Sequence, residues 1–132
     1  MATNDLSITW DQGSTLLYVW NLALGTSAMP LTGFTAEMMV RRTYGSSTVL
    51  IHASSTGTNP KLVIEPNATV GAIQLTLSPT DTSVIKFNEK NDDTVDLVYD
   101  LEVVDVLGSI GVAGGVYKCS RGTFVLRREV TR

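Results

Sequence analysis

Leu31-Thr32-Gly33-Phe34-Thr35-Ala36-Glu37-Met38-Met39-Val40-Arg41-Arg42 is the stretch whose reading decides the fold. A glycine turn leads into a run with Phe34, Ala36, Met38 and Val40 on one side and Thr35, Glu37 and Arg41 on the other. Successive side chains of a strand point to opposite faces, so this pattern describes a strand with one face on a core and one in water. Tyr99-Asp100-Leu101-Glu102-Val103 repeats the pattern, and no set of catalytic residue types stands beside either segment.

The same signal extends in both directions, with Gly, Pro, Asn and Ser clusters between strands. Leu6 to Trp10 reads as a first strand, closed by Asp11-Gln12-Gly13. Leu16 to Leu24 follows with Leu16, Tyr18, Trp20 and Leu22 on one face, and residues 25 to 30 end it. After Phe34 to Arg41 come short strands at Val49 to Ala53 and Leu62 to Glu65, then alternating ones at Ala72 to Leu77 and Asp96 to Val104. Val116 to Val130 holds the last one or two. Ser78-Pro79-Thr80-Asp81-Thr82-Ser83-Val84-Ile85 is the one helical candidate: Ser78 suits a cap, Pro79 the first position, and Asp81 the amino end. Roughly seven to nine strands joined by hairpin-length links predict an antiparallel all-β sandwich, because a parallel sheet needs crossover helices. The expected core is Phe34, Met38, Val40, Ile73, Leu75, Leu97, Tyr99, Leu101, Phe124 and Leu126.

With no repeat and no low-complexity linker, residues 1–132 read as one domain around one core. The chain is 43% hydrophobic and 17% charged, against roughly 25% charged in ordinary soluble domains. That deficit favours apolar surface covered by another copy or another protein. Ten Lys and Arg against thirteen Asp and Glu give a net charge of −3, which offers no field for a phosphate backbone, so nucleic acid is not an expected partner. Arg121, Arg127, Arg128 and Arg132 crowd the end of the sequence, and strand alternation splits Arg127 and Arg128 between faces. The first residues lack a basic region followed by an apolar run, and no run approaches the roughly eighteen apolar residues of a membrane helix. No standard export signal and no membrane span are therefore expected. On that expectation Asn67-Ala68-Thr69, although it matches a glycosylation sequon, reads as a polar turn.

The residues that carry chemistry elsewhere are sparse. His52, the single histidine, lies between Ile51 and Ala53 in a strand, with no nucleophile and orienting acid at a suggestive spacing. Cys119, the single cysteine, excludes an intrachain disulfide and reads as an inert strand thiol despite Lys118 and Arg121 nearby. Glu89, Asn91, Asp92 and Asp93 form an acidic cluster without EF-hand spacing, which reads as a solvated hairpin tip. Trp10, Tyr18, Trp20 and Tyr44 are the aromatic residues a sugar-stacking platform would use. Core packing accounts better for Tyr18 and Trp20, while Trp10 and Tyr44 stay open. Gly108, Gly111, Gly114 and Gly115 have neither dinucleotide nor P-loop spacing, and the β-type Val116-Tyr117-Lys118 follows them. With Leu107, Ile110 and Val112 they make a glycine-rich loop, expected to be mobile alone and to order against a partner, and this is the candidate docking site.

The order of features also matches a family. Gln12-Gly13, then Leu31 to Ala36 leading to Val40-Arg41, Gly71 to Ser78, Tyr99 to Glu102, and finally Gly122-Thr123-Phe124-Val125-Leu126 with Glu129-Val130-Thr131-Arg132 together resemble a family of small virion proteins of tailed bacteriophages. Its members are Ig-like β-sandwich modules, found as short separate proteins and as amino-terminal domains of baseplate and receptor-binding proteins. The chain departs from the family pattern at Leu107 to Gly115, where a short turn is usual. The resemblance implies a structural subunit without enzymatic activity or cofactor, folded in the host cytoplasm and built into the virion at the tail or baseplate. Its implied partners are other virion proteins and copies of itself, engaged through loops or by strand addition at an edge. A capsid decoration or cement protein is the first alternative. A carbohydrate-binding module is the second, and would require Trp10 and Tyr44 together on an exposed face.

Overall fold

A computed structural model describes residues 4–24, 26–64, 71–87 and 93–128. In chain order the elements are β1 (Asn4–Asp5), β2 (Ile8–Asp11), β3 (Leu16–Asn21), β4 (Ala23–Leu24), β5 (Ser27–Ala28), β6 (Phe34–Arg41), β7 (Ile51–Ser54), β8 (Leu62–Ile64), β9 (Ala72–Leu77), α1 (Pro79–Ser83), β10 (Thr94–Asp105) and β11 (Gly115–Arg127). They form a large sheet in the order β1-β11-β10-β6-β7, with β2 also on β11, and a smaller sheet in the order β3-β9-β8. The large sheet's β11-β10-β6-β7 and the smaller β3-β9-β8 make the two sheets of an Ig-like sandwich.

Alternation drives this arrangement. Along β6 and β10 every second residue is buried, and the antiparallel register sets Met38 opposite Leu101 and Val40 opposite Tyr99. From the other sheet Leu16, Trp20, Leu62, Ile73, Leu75 and Leu77 close the same cluster. All ten expected core residues are buried in it. The chain has no inter-sheet disulfide, and aromatic rings bridge the sheets instead. Trp20 of β3 lies 6.2 Å from Tyr99 of β10 and meets Tyr18 edge-on at 4.9 Å, an arrangement that adds to plain area burial.

The helical turn forms where its signals place it. Ser78 caps it, accepting from the Asp81 amide, while the Asp81 carboxylate accepts from the Ser78 amide at 2.8 Å. Burial pushes the Asp81 carboxyl up, but bonds from Lys61 and Ser78 and the Lys61 charge outweigh it, leaving the group below its ordinary range. The turn after β2 fastens α1 in place. Gln12 Nε2 donates to the carbonyls of Thr82 (3.2 Å) and Ile85 (3.1 Å), and the Gly13 amide donates to Thr82 Oγ1. Gln12 is buried for this reason.

Three features depart from the expected layout. First, the sandwich is not wholly antiparallel, since β1 and β2 run parallel to β11, with Ser120 beside Asn4 and Leu126 beside Trp10. Second, the strand expected over Leu16 to Leu24 stops at Asn21, and part of the segment expected to be turn, Ser27–Ala28, returns as β5 on β4. These fragments raise the count to eleven strand elements among the described residues. Third, β11 carries a bulge where Leu101 faces Ser120 and Glu102 faces Lys118. The extra residue switches the inward set from Tyr117 and Cys119 to Ser120, Phe124 and Leu126.

Truncating a core leucine removes its transfer free energy and leaves a cavity. Leu75→Ala and Leu101→Ala are each expected to lower stability by about 2 to 5 kcal/mol in chemical denaturation.

Candidate functional site

The glycine-rich segment singled out in the sequence lies between β10 and β11, next to the turn that precedes β6. Its organiser is Asp105, the last residue of β10, which is buried. Asp105 Oδ1 accepts from the Ser109 amide and Oδ2 from the Ile110 amide, both at 2.9 Å. The Asp105 carbonyl accepts from Gly108 (3.3 Å) and Gly114 (2.7 Å), closing the loop at its base. Gly111 and Gly115 donate to carbonyls within the loop, and the Tyr117 hydroxyl lies against both glycines. The Asp105 carboxylate thus reaches amides four and five residues ahead and braces the loop from its base, as local side-chain to backbone bonds do. Asp105 lies outside the Leu107 to Gly115 segment singled out in the sequence, because it is the last residue of β10.

This scaffold holds apolar side chains out to solvent. Leu107 is 69% and Val112 71% exposed, and Val106 and Val116 are exposed beside them. Ile110 turns inward and packs on the core. The patch continues onto the neighbouring turn, where the Val106 amide donates to the Gly33 carbonyl and Leu107 lies over Gly33. Gly33 has φ of 77°, and a Cβ there would come within 2.5 Å of Leu107 Cδ1, so both conformation and space call for glycine.

A second surface, the outer face of the large sheet, is polar. Glu37, Met39 and Arg41 of β6, Asp100 and Glu102 of β10, Lys118 of β11 and the nearby Tyr44 line an open recess of about 300 Å³. Its charges are matched in place. Lys118 Nζ reaches Glu102 at 2.8 Å and Asp100 at 3.2 Å, and those bonds raise its pKa, the Glu102 contribution being the largest. His52 Nε2 sits 2.5 Å from Glu37 Oε1. Ion pairs as exposed as these contribute at most about 1 kcal/mol each, and they leave a solvated face.

The remaining sequence candidates are dispersed. His52 is exposed on β7. Cys119 is buried at the β11 bulge, and burial pushes its thiol up to about 11. Trp10 packs against the core and donates to the Ser14 carbonyl, whereas Tyr44 stands exposed and donates to the Gly122 carbonyl. Of the two rings, then, Tyr44 is the exposed one. Arg127 pairs with Asp11 at 2.7 Å, and Arg128 lies 4.4 Å above the Phe87 ring. Glu89, Asn91, Asp92, Arg132 and the Asn67-Ala68-Thr69 sequon lie outside the described residues, as does Glu65, the expected end of β8.

Fold and surface together define an Ig-like β-sandwich that presents an apolar loop hydrogen-bonded to Asp105. No protein-family model matches the chain, and no curated protein matches it. Among solved structures it is similar to the NK cell receptor NKp44, a triggering partner in natural cytotoxicity, with 12% identity and a TM-score of 0.44 over 96% of this chain and 100% of that one. It is also similar to the extracellular domain of the voltage-gated sodium channel β4 subunit, described as a parallel homodimer in cell-cell adhesion, with 9% identity and a TM-score of 0.41 over 98% of this chain and 97% of that one. At that level of likeness neither protein's partners carry over to this chain.

Two outcomes are expected. Asp105→Ala removes the acceptor of the part-buried Ser109 and Ile110 amides and is expected to cost about 1 to 3 kcal/mol, with faster amide hydrogen exchange at both residues. Cys119 is expected to resist thiol reagents at pH 8 until the protein is denatured. Because its folded pKa lies above the ordinary 9.0, the unfolded thiol ionises first, and stability falls as pH rises through 9 toward 11.

Proposed function

We propose that the chain is a non-enzymatic structural subunit of a tailed-bacteriophage virion, placed at the tail or baseplate, which works by binding neighbouring virion proteins and copies of itself. The observation that carries this reading is the loop at 107–115, where exposed Leu107 and Val112 stand on a backbone already fixed by Asp105. A pre-ordered apolar surface binds without the ordering cost that a free loop meets. Rigid presentation of this kind suits a subunit whose task is positional. The family resemblance, carried by the order of segments from Gln12-Gly13 to Arg132, supplies the virion context. Trp10 packed on the core and Tyr44 out in solvent give little support to the carbohydrate-binding alternative.

The test is the chain's location in the virus that encodes it. Antibody labelling of purified particles is expected to mark the tail tip or baseplate. Labelling of the capsid would make the chain a decoration protein, and absence from particles would end the virion reading altogether. Val112→Asp, a change at an exposed position, is expected to leave folding intact and to lower the chain's binding to isolated tails about tenfold or more, since a charge in an apolar contact costs at least about 1.4 kcal/mol.

A further inference from the structure

Among the described residues the two main sheets have four outer edges, and three of them are protected. The edge at β1 and β2 is broken in two and ends in the charged Asp11. Strand β7 has four residues and carries exposed His52, while β8 has three and follows Pro60-Lys61. Short lengths, charges, prolines and breaks are how sheet proteins keep edges from pairing. Strand β3 has none of these devices. It runs six residues, Leu-Leu-Tyr-Val-Trp-Asn, without charge, glycine or proline. No charged residue occurs anywhere between Asp11 and Glu37.

The hydrogen bonds show which backbone groups this edge offers. The Leu22 amide donates to Gly71, and the Thr76 amide donates away from β3, to Lys61. Antiparallel bonding alternates, so Leu16, Tyr18 and Trp20 bond toward β9 while Leu17, Val19 and Asn21 direct their amides and carbonyls outward. The outward set also has exposed side chains. Leu17 is 58% and Val19 41% exposed, and Val63, across Gln74 in the same row, is 45% exposed.

We infer that β3 is a homodimerisation edge, pairing antiparallel with β3 of a second copy so that the two small sheets become one. This deepens the self-association part of the proposed function. A second copy fits because an uncharged strand meets itself without opposing like charges, whereas the chain as a whole carries −3. A two-fold contact also uses both edges at once and closes at two copies. The register follows from the pleat: odd residues must face odd residues for side chains to stay on their own face. Setting Leu17 of one copy opposite Val19 of the other, with Tyr18 opposite Tyr18 on the two-fold axis, pairs apolar with apolar on the solvent side. Centring on Val19 would instead set Leu17 against Asn21.

Sedimentation of the full chain at micromolar concentration is expected to show a dimer, and Val19→Lys a monomer with the same far-ultraviolet circular dichroism. A mixture of Leu17→Cys and Val19→Cys chains is expected to form a disulfide dimer faster than either alone. Facing residues in such a pair lie about 5.5 Å apart at Cα, within disulfide reach, and Cys119 is buried out of competition. A wild-type chain that stays monomeric, a folded Val19→Lys chain that stays dimeric, or a mixture that cross-links no faster than the single variants would overturn the inference. The cross-linking result stands whether or not Val19→Lys folds. Val112→Asp keeps the two readings apart: a dimer that persists but no longer binds tails locates binding in the loop, and a dimer that dissociates moves self-association there and overturns the edge.

Discussion

The Tyr99 hydroxyl is the contact on which the layout of the sandwich depends. It is buried at the middle of β10, donates to the Leu6 carbonyl at 2.8 Å and shares a hydrogen bond with Ser120 Oγ at 3.0 Å. Burial pushes the phenol up, so it keeps its proton throughout the ordinary pH range. Leu6 is the joint between β1 and β2, and its amide also donates to Arg121 of β11 at 2.9 Å. Gly122, opposite Tyr99 in the ladder, makes room for this approach. A Cβ there would lie 2.0 Å from the Leu6 carbonyl oxygen. A buried hydroxyl, a missing side chain and a backbone bond thus commit the first strand to β11. β1 and β2 therefore do not cover β3, and among the described residues the outer edge of the small sheet is left open.

Holding the two sheets together falls to side chains, since the chain has one cysteine. The Tyr18, Trp20 and Tyr99 rings span the interface, and Leu16, Leu75, Leu77 and Leu101 fill the space around them. Each such leucine contributes about 1.5 to 3 kcal/mol by leaving water. Much of that gain is offset by the entropy of ordering the chain. The margin therefore rests on close packing and on clamps such as Gln12, which fixes α1 where the chain crosses between sheets.

What the sequence made legible was periodic or local. The alternation at Phe34 to Arg41 and Asp96 to Val104 specified both strands and their inward faces, and Ser78, Pro79 and Asp81 specified the helical turn. What it hid was relational. The parallel pairing of β1 and β2 depends on Tyr99 and Gly122, far along the chain, and no local pattern announces it. The β11 bulge is a single extra residue, invisible until its register with β10 is known. The loop at 107–115 shows the limit most clearly. Its glycines read as freedom, yet Asp105, just beyond the strand expected to end at Val104, gives its amides their acceptor. An Asp ahead of Gly-Ser was the available signal, since an Asp side chain can accept from nearby backbone amides.

The low charged fraction also takes on meaning from where the charges are. The outer face of the large sheet carries Glu37 with His52, and Lys118 between Asp100 and Glu102, and this face is solvated and self-neutralising. The outer face of the small sheet presents Leu17, Val19, Val63, Gln74 and Thr76, with no charge among them. An even dilution of charge would say little, but a sandwich with one wet face and one bare edge has a direction. The apolar loop projects from the large sheet, while the unprotected edge belongs to the small one. The proposed docking loop and the proposed pairing edge thus belong to different sheets, as the proposed function requires of a subunit that pairs with its own copy and docks a different neighbour.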